Sequence, residues 1–402
     1  MRLGDVIEIK HGYAFNGEHI IEEDNSVVLV TPGNFRIGGG FQEKKCKFFD
    51  GEIPQDYVLK AGDFIVTMTD LSKNIDTLGY SAWVPKSEKR IYLHNQRIGL
   101  VSLKNNKCDR GYIYWLMRTH AYQRTIANTS TGSTVHHTSP SKIYEYECDV
   151  PDISIQHRIA TILSRYDSLI ENYQKQIKLL EEAAQRLYKE WFVDLHFPGH
   201  ENTKIVDGVP EGWEKKRVGE IGKVITGKTP STAKKEYYGG KIPFITIPDM
   251  HTGIYPTSSQ FLSDLGANSQ SGKFIPANSL MVSCIGTAGL VCITKEDCQT
   301  NQQINSLVLN DISLLYYLYN TFLSLKEHLN NIGSNGATMT NVNKSKFESI
   351  EILIPTNSII NLYNKAVEPS FRSIKTLSSQ IRLLTEARDR LLPKLMSGEI
   401  AV

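Results

Sequence analysis

The sequence predicts an α+β chain in which one module occurs twice, each copy being a globular domain followed by a long helix. Three observations predict this architecture: an internal repeat, short β-branched runs separated by turns, and two long stretches of apolar residues spaced three and four apart. In chain order the predicted parts are a first domain at 1–150, a long helix at 151–192, a linker at 193–213, a second domain at 214–354 and a second long helix at 355–396.

The internal repeat is visible as ordered matches along the chain. RLGDVIEIKHG at 2–12 corresponds to RVGEIGKVITG at 217–227, and AGDFIVT at 61–67 to ANSLMVS at 277–283. Near the end of each domain, GSTVHHTSPSKI at 132–143 corresponds to GATMTNVNKSKF at 336–347. Insertions and deletions therefore fall inside the domains, and the chain carries two tandem copies of one module.

Each globular domain combines strands with a late helical stretch. Runs such as FIVT, IYLH and SLVLN are β-branched and lie between turns rich in Gly, Asn and Ser. Helical stretches follow in GYIYWLMRTHAYQRTI and in ISLLYYLYNTFLSLKEHL. This order is typical of α+β domains.

The long helices are predicted from apolar positions that alternate at steps of four and three, the seam of a coiled coil. The second copy repeats the pattern 204 residues later, so we expect the two helices to pair as an antiparallel coiled coil; two separate surface helices are the alternative. Pro369 lies in the second seam and is expected to kink or split that helix. The first seam is Ile155, Ile159, Ile162, Tyr166, Ile170, Tyr173, Ile177, Leu180, Ala184, Leu187 and Trp191, and the second is Ile359, Tyr363, Ala366, Ser370, Ile374, Leu377, Ile381, Leu384, Arg388, Leu391 and Leu395.

Composition excludes several classes of protein. No apolar run approaches the roughly 18 residues of a membrane span, and the start has no apolar signal core, so we expect a cytoplasmic protein. Six cysteines without a C-x-x-C pair indicate reduced thiols and no zinc site. The net charge of +2 does not by itself announce a nucleic-acid-binding protein.

A literal P-loop pattern occurs at 222–229, GKVITGKT. A working P-loop opens directly into a helix, but PSTAKKEYYGGKIPF follows here, without helical periodicity. In the first copy the pattern is lost, since Tyr13 stands opposite Lys228 and only the glycine, Gly12 against Gly227, is shared. The shared feature is a strand that ends in a glycine turn, so an NTPase is the less favoured interpretation.

Several long segments resemble the specificity subunit of type I restriction-modification systems. TGKTPSTAKKEYYGGKIPFITIPDM (226–250) is similar to the opening of that family's target-recognition domain. RLYKEWFVDLHFPG (186–199) with VPEGWEKKRVGEIG (209–222) is similar to its junction between the first helix and the second recognition domain, and RLLPKLMSGEI (390–400) to its end.

The resemblance implies a non-catalytic subunit whose two target-recognition domains each read half of a bipartite, asymmetric double-stranded DNA site. It implies that the long helices act as a spacer and as docking surfaces for two modification (methyltransferase) subunits, and that a restriction (translocase and endonuclease) subunit joins them. S-adenosylmethionine and ATP are expected on those partners, and no cofactor on this chain. Consistent with this, the sequence has no Asn/Asp-Pro-Pro-aromatic motif and no H-E-x-x-H. A coiled-coil scaffold is a further alternative.

The two copies allow candidate DNA contacts to be sorted. A residue shared by both copies cannot distinguish two different half-sites, so it should serve the fold or the phosphate backbone, whereas base readers should differ. An ordinary solvated loop remains the alternative for each candidate, and a metal site the alternative for the His136–His137 pair.

Shared candidates are Asn95, Gln96, Thr134, Asn301, Gln302 and Thr338; differing candidates are Tyr13, Thr69, Asp70, Ser72, Lys73, Asn74, Arg97, His136 and His137 in the first copy and Lys228, Thr229, Gly286, Thr287, Gln303, Thr340 and Asn341 in the second; Lys234 and Lys235 are candidates for phosphate contact.

Overall fold

The computed structural model describes residues 1–44, 46–334 and 340–402 and divides the chain into two units. The first unit comprises Met1–Ile170 with Leu384–Val402, and the second comprises Glu171–Leu383. Each unit therefore holds one globular domain and part of each long helix. The predicted α+β class and the tandem repeat are confirmed by this arrangement.

A four-stranded antiparallel sheet forms the centre of each domain, and its strand order is the same in both. In the first unit the strands lie in the order Ile7–His11, Ile98–Leu103, Phe64–Thr67 and Ser81–Trp83. In the second unit the order is Gly222–Thr226, Ile304–Leu309, Leu280–Ser283 and Val291–Ile293.

A second, mixed sheet in each domain also repeats. Its central pair is parallel: Val27–Val30 runs beside Ile91–His94 in the first unit, and Tyr238–Ile245 beside Gln299–Thr300 in the second. The antiparallel neighbours are Lys47–Phe49, Ile20–Ile21 and Val58–Leu59 in the first unit and Gln260–Leu262 in the second.

Short helices cover the four-stranded sheets and bury large aromatic side chains. Trp115 and Tyr112 belong to the core beneath the first sheet, and Phe322 and Phe347 to the core beneath the second. The short α-helices of the first unit are Arg110–Leu116, His120–Asn128 and Pro140–Tyr144. Those of the second unit are Val218–Ile221, Ile247–Met250, Asp264–Asn268, Leu315–Ser324, Lys326–Ser334 and Lys344–Glu348.

Three further pairs of short strands complete the described strands. They are Thr69–Asp70 with His136–His137, Ile205–Val206 with Val209–Pro210, and Glu214–Arg217 with Glu351–Ile354.

The long helices span Ile153–Tyr188, continued by a π-helical turn at Lys189–Val193, and Asn357–Met396. In the first unit, Leu163 near the start of the first helix shares a core with Leu392 near the end of the second. In the second unit, Tyr188 shares a core with Tyr363, near the start of the second helix. In both units the helices therefore run antiparallel, as predicted.

The second long helix is continuous through Pro369, so the sequence is not divided into two helices there, and a kink at this proline stays a prediction. Its assigned span is continuous through Pro369, whose side chain is exposed. A proline inside a helix costs about 3 kcal/mol because a hydrogen bond is lost. Val367 and Phe371, on either side, are buried in the core, and burial of such side chains contributes about 1.5–3 kcal/mol each. Tertiary packing therefore offsets the local cost. The predicted seam position Ala366 is exposed, and Val367 carries the contact instead.

A buried ionic cluster ties the first domain to both long helices within the first unit. Asp167 of the first helix accepts hydrogen bonds from Arg118 Nη1 (2.6 Å) and from Arg388 Nη1 (2.5 Å) of the second helix. Arg118 also donates to the carbonyl oxygen of Gly38 at 2.9 Å and lies 4.3 Å from the ring centroid of Trp115. One carboxylate thus joins three elements of the unit.

Burial raises the pKa of Asp167, but the guanidinium groups of Arg118 and Arg388 outweigh that effect and hold the pKa below its usual value. A carboxyl group whose pKa is lower in the folded state stabilises the fold at pH values above its unfolded pKa, about 4. This contribution is lost as the pH falls from there through the folded pKa. The cluster therefore contributes fully at neutral pH.

We predict that Asp167→Ala lowers the free energy of unfolding by about 3–5 kcal/mol at neutral pH, because two guanidinium groups lose their buried counter-ion. Hydrogen exchange of peptides from 110–128, with peptides of the second unit as an internal reference, measures the effect. Asp389→Ala is the matched control, since Asp389 binds the same Arg388 at the surface and should contribute about 1 kcal/mol or less. Equal protection in the two variants would contradict the assigned role.

Candidate nucleic-acid interface

The candidate interface of the first unit is built around the backbone of Met68. The Met68 amide donates to the carbonyl oxygen of Arg97 at 2.9 Å, and the Thr138 amide donates to the Met68 carbonyl at 3.0 Å. Met68 therefore joins the turn at 95–97 and the strand His136–His137 to the loop that begins at Thr69. The differing candidates of the 69–74 loop, Arg97 and the His136–His137 pair therefore meet at this junction.

The second unit has the same junction around Cys284. The Cys284 amide donates to the Gln303 carbonyl at 2.8 Å, and the Val342 amide donates to the Cys284 carbonyl at 2.9 Å. Ile285 forms a β-bridge with Asn341, as Thr69 does with His137. The two domains thus place different side chains on one backbone frame.

A glycine shared by the copies places the differing pair Tyr13 and Lys228 beside the turn. A Cβ on Gly12 would lie 2.1 Å from the Asn95 carbonyl oxygen, and a Cβ on Gly227 would lie 2.1 Å from that of Asn301. Only glycine permits this approach. The next residue along is Tyr13 in one copy and Lys228 in the other, and both are exposed.

The shared asparagines face inward and shape the turn. Asn95 Oδ1 accepts from the Arg97 amide at 3.0 Å, and Asn301 Oδ1 accepts from the Gln303 amide at 3.2 Å. Both asparagines are buried, which agrees with a structural role. The neighbouring Gln96 and Gln302 are exposed, and Gln302 accepts a hydrogen bond from Thr229 at 2.6 Å.

The differing residues of the first unit divide into accessible and buried side chains. Arg97 and His137 are exposed, as is the shared Thr134, and His136 is half-buried. His137 Nδ1 lies 3.2 Å from Thr69 Oγ1. Thr69 and Asp70 are buried, so they shape the loop and do not face a ligand, whereas Lys73 and Asn74 are exposed and Ser72 is half-buried.

In the second unit, the described residues of the junction include both accessible and half-buried side chains. Gly286, Thr287 and Asn341 are exposed, and Thr340 is half-buried. Gln303 is half-buried and donates to the Ile285 carbonyl at 3.4 Å. Thr338 lies outside the described residues.

Lys234 and Lys235 lie on an exposed turn before the strand Tyr238–Ile245. Lys234 Nζ donates to the Tyr237 hydroxyl at 3.1 Å and lies 5.0 Å from the ring centroid of the same residue. These contacts are local to the turn. The contacts do not connect either lysine to the junction around Cys284. They are compatible with contact between the lysines and phosphate.

Two features of the first unit were not among the sequence-based candidates. Tyr57 lies 5.2 Å from Tyr13 between ring centroids, and Lys10 lies 4.7 Å above the Tyr57 ring, so that an aromatic and basic cluster adjoins the turn. Leu71 lies between the candidates Asp70 and Ser72 but was not itself a candidate, and its side chain is 59% exposed. The greater loop length of the first copy was the available signal for Leu71.

The P-loop pattern does not form a phosphate cradle. Gly222–Thr226 is a strand of the central sheet. The amides of Gly227 and Lys228 donate to the carbonyl oxygens of Ile304 and Thr300 at 3.0 and 2.9 Å. Backbone amides that are already paired in this way cannot also hold phosphate oxygens, and no helix begins at Thr229.

A family of known proteins matches this chain twice, once over each copy of the module. The family model of the type I restriction modification DNA specificity domain matches residues 1–182 and 210–361. The chain belongs to this family. The HindI specificity subunit of Haemophilus influenzae is 35% identical over 349 residues, which cover 70% of this chain and 75% of that protein. The MjaIX specificity subunit of Methanocaldococcus jannaschii is 32% identical over 301 residues, covering 72% and 69%.

A solved structure of the family has the same fold. The type I restriction-modification S subunit from M. genitalium aligns over 98% of this chain and 95% of its own, with a TM-score of 0.60 at 16% sequence identity. Within the described residues, no helix of this specificity-domain protein is long and apolar enough to cross a membrane. Nor do the described His, Cys, Asp and Glu side chains gather in groups of three that could hold a metal ion.

We predict that neither the unmutated chain nor Lys228→Ala binds ATP above background, because the amides of the P-loop pattern are hydrogen-bonded within the domain. Calorimetric titration of ATP with Mg²⁺ into both forms measures this. Affinity that is present in the unmutated chain and abolished in the variant would show that the pattern functions after all.

Proposed function

We propose that this chain is the sequence-reading subunit of a type I restriction-modification complex and that each domain reads one half of a bipartite DNA site. One observation carries the proposal: the junctions at Met68 and Cys284 share a backbone and differ in the side chains they expose. A duplicated frame with different side chains suits two half-sites of different sequence. The site should therefore be asymmetric.

Residues at the junctions offer chemistry suited to base edges. Arg97 can bind guanine through two hydrogen bonds, and Gln303 or Asn341 can pair in the same way with adenine in the major groove. Tyr13 and Lys228, beside the turn, suit contact with sugar or phosphate, which fixes position without reading sequence. Base readout is thus proposed for the side chains that differ and positioning for the shared frame.

Catalysis is proposed to lie in partner subunits. Two modification subunits would transfer methyl groups to adenine with S-adenosylmethionine, and a restriction subunit would use ATP, while this chain would bind neither cofactor.

Apolar side chains on the long helices support docking of the modification subunits. Leu169, Leu179, Leu362 and Leu383 are exposed. In the second unit a groove of about 570 Å³ along the helices is lined by Leu179, Leu180 and Leu377 together with polar residues. Apolar surface of this kind often marks a protein interface.

A scaffold without DNA recognition is the remaining alternative. It accounts for the long helices but gives no reason for two domains that keep one frame and vary the side chains on it. Sequence-specific binding by the assembled complex distinguishes the two functions, because a scaffold would show only the salt-sensitive binding common to basic surfaces.

We predict that replacing residues 1–150 by the equivalent domain of a relative changes one half of the methylated motif and leaves the other half unchanged. The donor domain should carry arginine where this chain has Arg118, so that Asp167 and Arg388 keep their partner. Variant and parent are expressed with the modification subunits in a host without other adenine methylation, and methylated motifs are mapped by single-molecule sequencing. A change in both halves, or in neither, would refute the modular assignment.

A further inference from the structure

The loop after the strand Phe64–Thr67 is the largest difference between the two junctions. Residues 68–80 connect this strand to Ser81–Trp83, whereas only residues 284–290 connect the equivalent strands Leu280–Ser283 and Val291–Ile293. The first connection is thus six residues longer. The longer connection includes Thr69–Asp70, which pairs with His136–His137 at the edge where base readers are proposed.

A buried carboxylate holds the longer loop closed. Asp70 is 1% exposed, and its Oδ1 accepts from the Ser72 amide at 2.6 Å. Its Oδ2 accepts from the amide and the hydroxyl of Thr77, both at 2.6 Å, and from the Leu78 amide at 3.0 Å. Burial raises the pKa of Asp70, but these bonds outweigh burial and lower it. A single ionised side chain therefore joins the start of the loop to its end.

The middle of the loop is held in a strained conformation. Ile75 has φ +52°, a backbone region that β-branched residues rarely adopt. Its side chain packs against the domain core, and its carbonyl oxygen accepts from Nε2 of the buried Gln123 at 2.6 Å. Strain of this kind persists only where surrounding contacts determine the conformation, and it is concentrated at functional sites.

The clamped loop presents an apolar side chain flanked by polar ones. Leu71 is exposed directly after the two-stranded ribbon of Thr69–Asp70 and His136–His137, and Lys73 and Asn74 are exposed on the same loop. A two-stranded ribbon fits the major groove of B-DNA, where the methyl group of thymine is the apolar feature of the base edges.

We propose that Leu71 is a specificity-determining residue that contacts a thymine methyl group in the half-site of the first domain, and that Asp70 is the positioning residue that holds it there. This inference rests on the proposed function. Asp70 itself does not reach the bases, because its carboxylate is used within the loop. The second domain has no equivalent, since Gly286 stands at the position that corresponds to Asp70.

Replacing thymine by uracil in the DNA tests the contact, because it removes only the methyl group. The complex with its modification subunits is titrated with target duplexes in which each thymine of the first half-site is replaced in turn. Removal of one buried methyl group is worth about 0.8 kcal/mol, so binding by the unmutated complex should weaken about three- to five-fold at one position. Leu71→Ala should bind the thymine duplex about as weakly and show no further loss with uracil.

Asp70→Asn tests positioning separately from stability. In this variant, discrimination against wrong base pairs should fall by about ten-fold at the base pair contacted by Leu71 and at its neighbours. The second half-site should be read as before. Asp63→Asn is the matched control: Asp63 accepts from the Lys60 amide at 2.7 Å at the opposite end of the same strand, and its variant should read both halves normally.

Three results would overturn the inference. One is a Leu71→Ala complex that keeps the full uracil sensitivity of the parent. Another is an Asp70→Asn complex whose discrimination is unchanged, or reduced equally in both halves. The third is increased 2-aminopurine fluorescence beside the Leu71 position, which would indicate a side chain wedged between base pairs. If the unmutated complex does not distinguish its target from unrelated DNA, the proposed function itself fails, and this is measured before any variant.

Discussion

The two backbone hydrogen bonds made by a single residue, Met68 in the first unit and Cys284 in the second, determine how the rest of each interface is arranged. Each residue is buried, with its amide bound to the 95–97 or 301–303 turn and its carbonyl bound to the amide of Thr138 or Val342. Because backbone groups make these bonds, the side chains around them can change without loss of the frame. This separation of frame from side chains allows one fold to present two different surfaces.

Features that repeat or follow a period could be predicted from the sequence. The duplicated module, the paired helices and the glycine turn at Gly12 and Gly227 all follow from patterns present in both copies. The inward position of Asp70 could not be predicted, because a polar residue in a loop has the same signature whether it binds a ligand or its own backbone. The continuity of the second helix through Pro369 could not be predicted either, because local propensity carries no information about the burial of Val367 and Phe371.

The buried cluster of Arg118, Asp167 and Arg388 shows another limit of pattern analysis. Arg388 was the one charged residue in the predicted seams, and its partner Asp167 lies outside the first seam. In the second unit, Phe371 and Ala184 occupy the positions 204 residues away, and both are buried in an apolar core. The two modules therefore solve the same packing problem differently.

The central claim is that residues which differ at equivalent points of the shared frame read DNA. Reciprocal substitution tests it most directly, with Arg97→Gln in the first domain and Gln303→Arg in the second, each assembled with modification subunits and its methylated motif mapped. We expect each variant to alter base preference in one half only, with the two variants affecting opposite halves. Motifs identical to the parent in both variants, or one substitution that alters both halves, would contradict it.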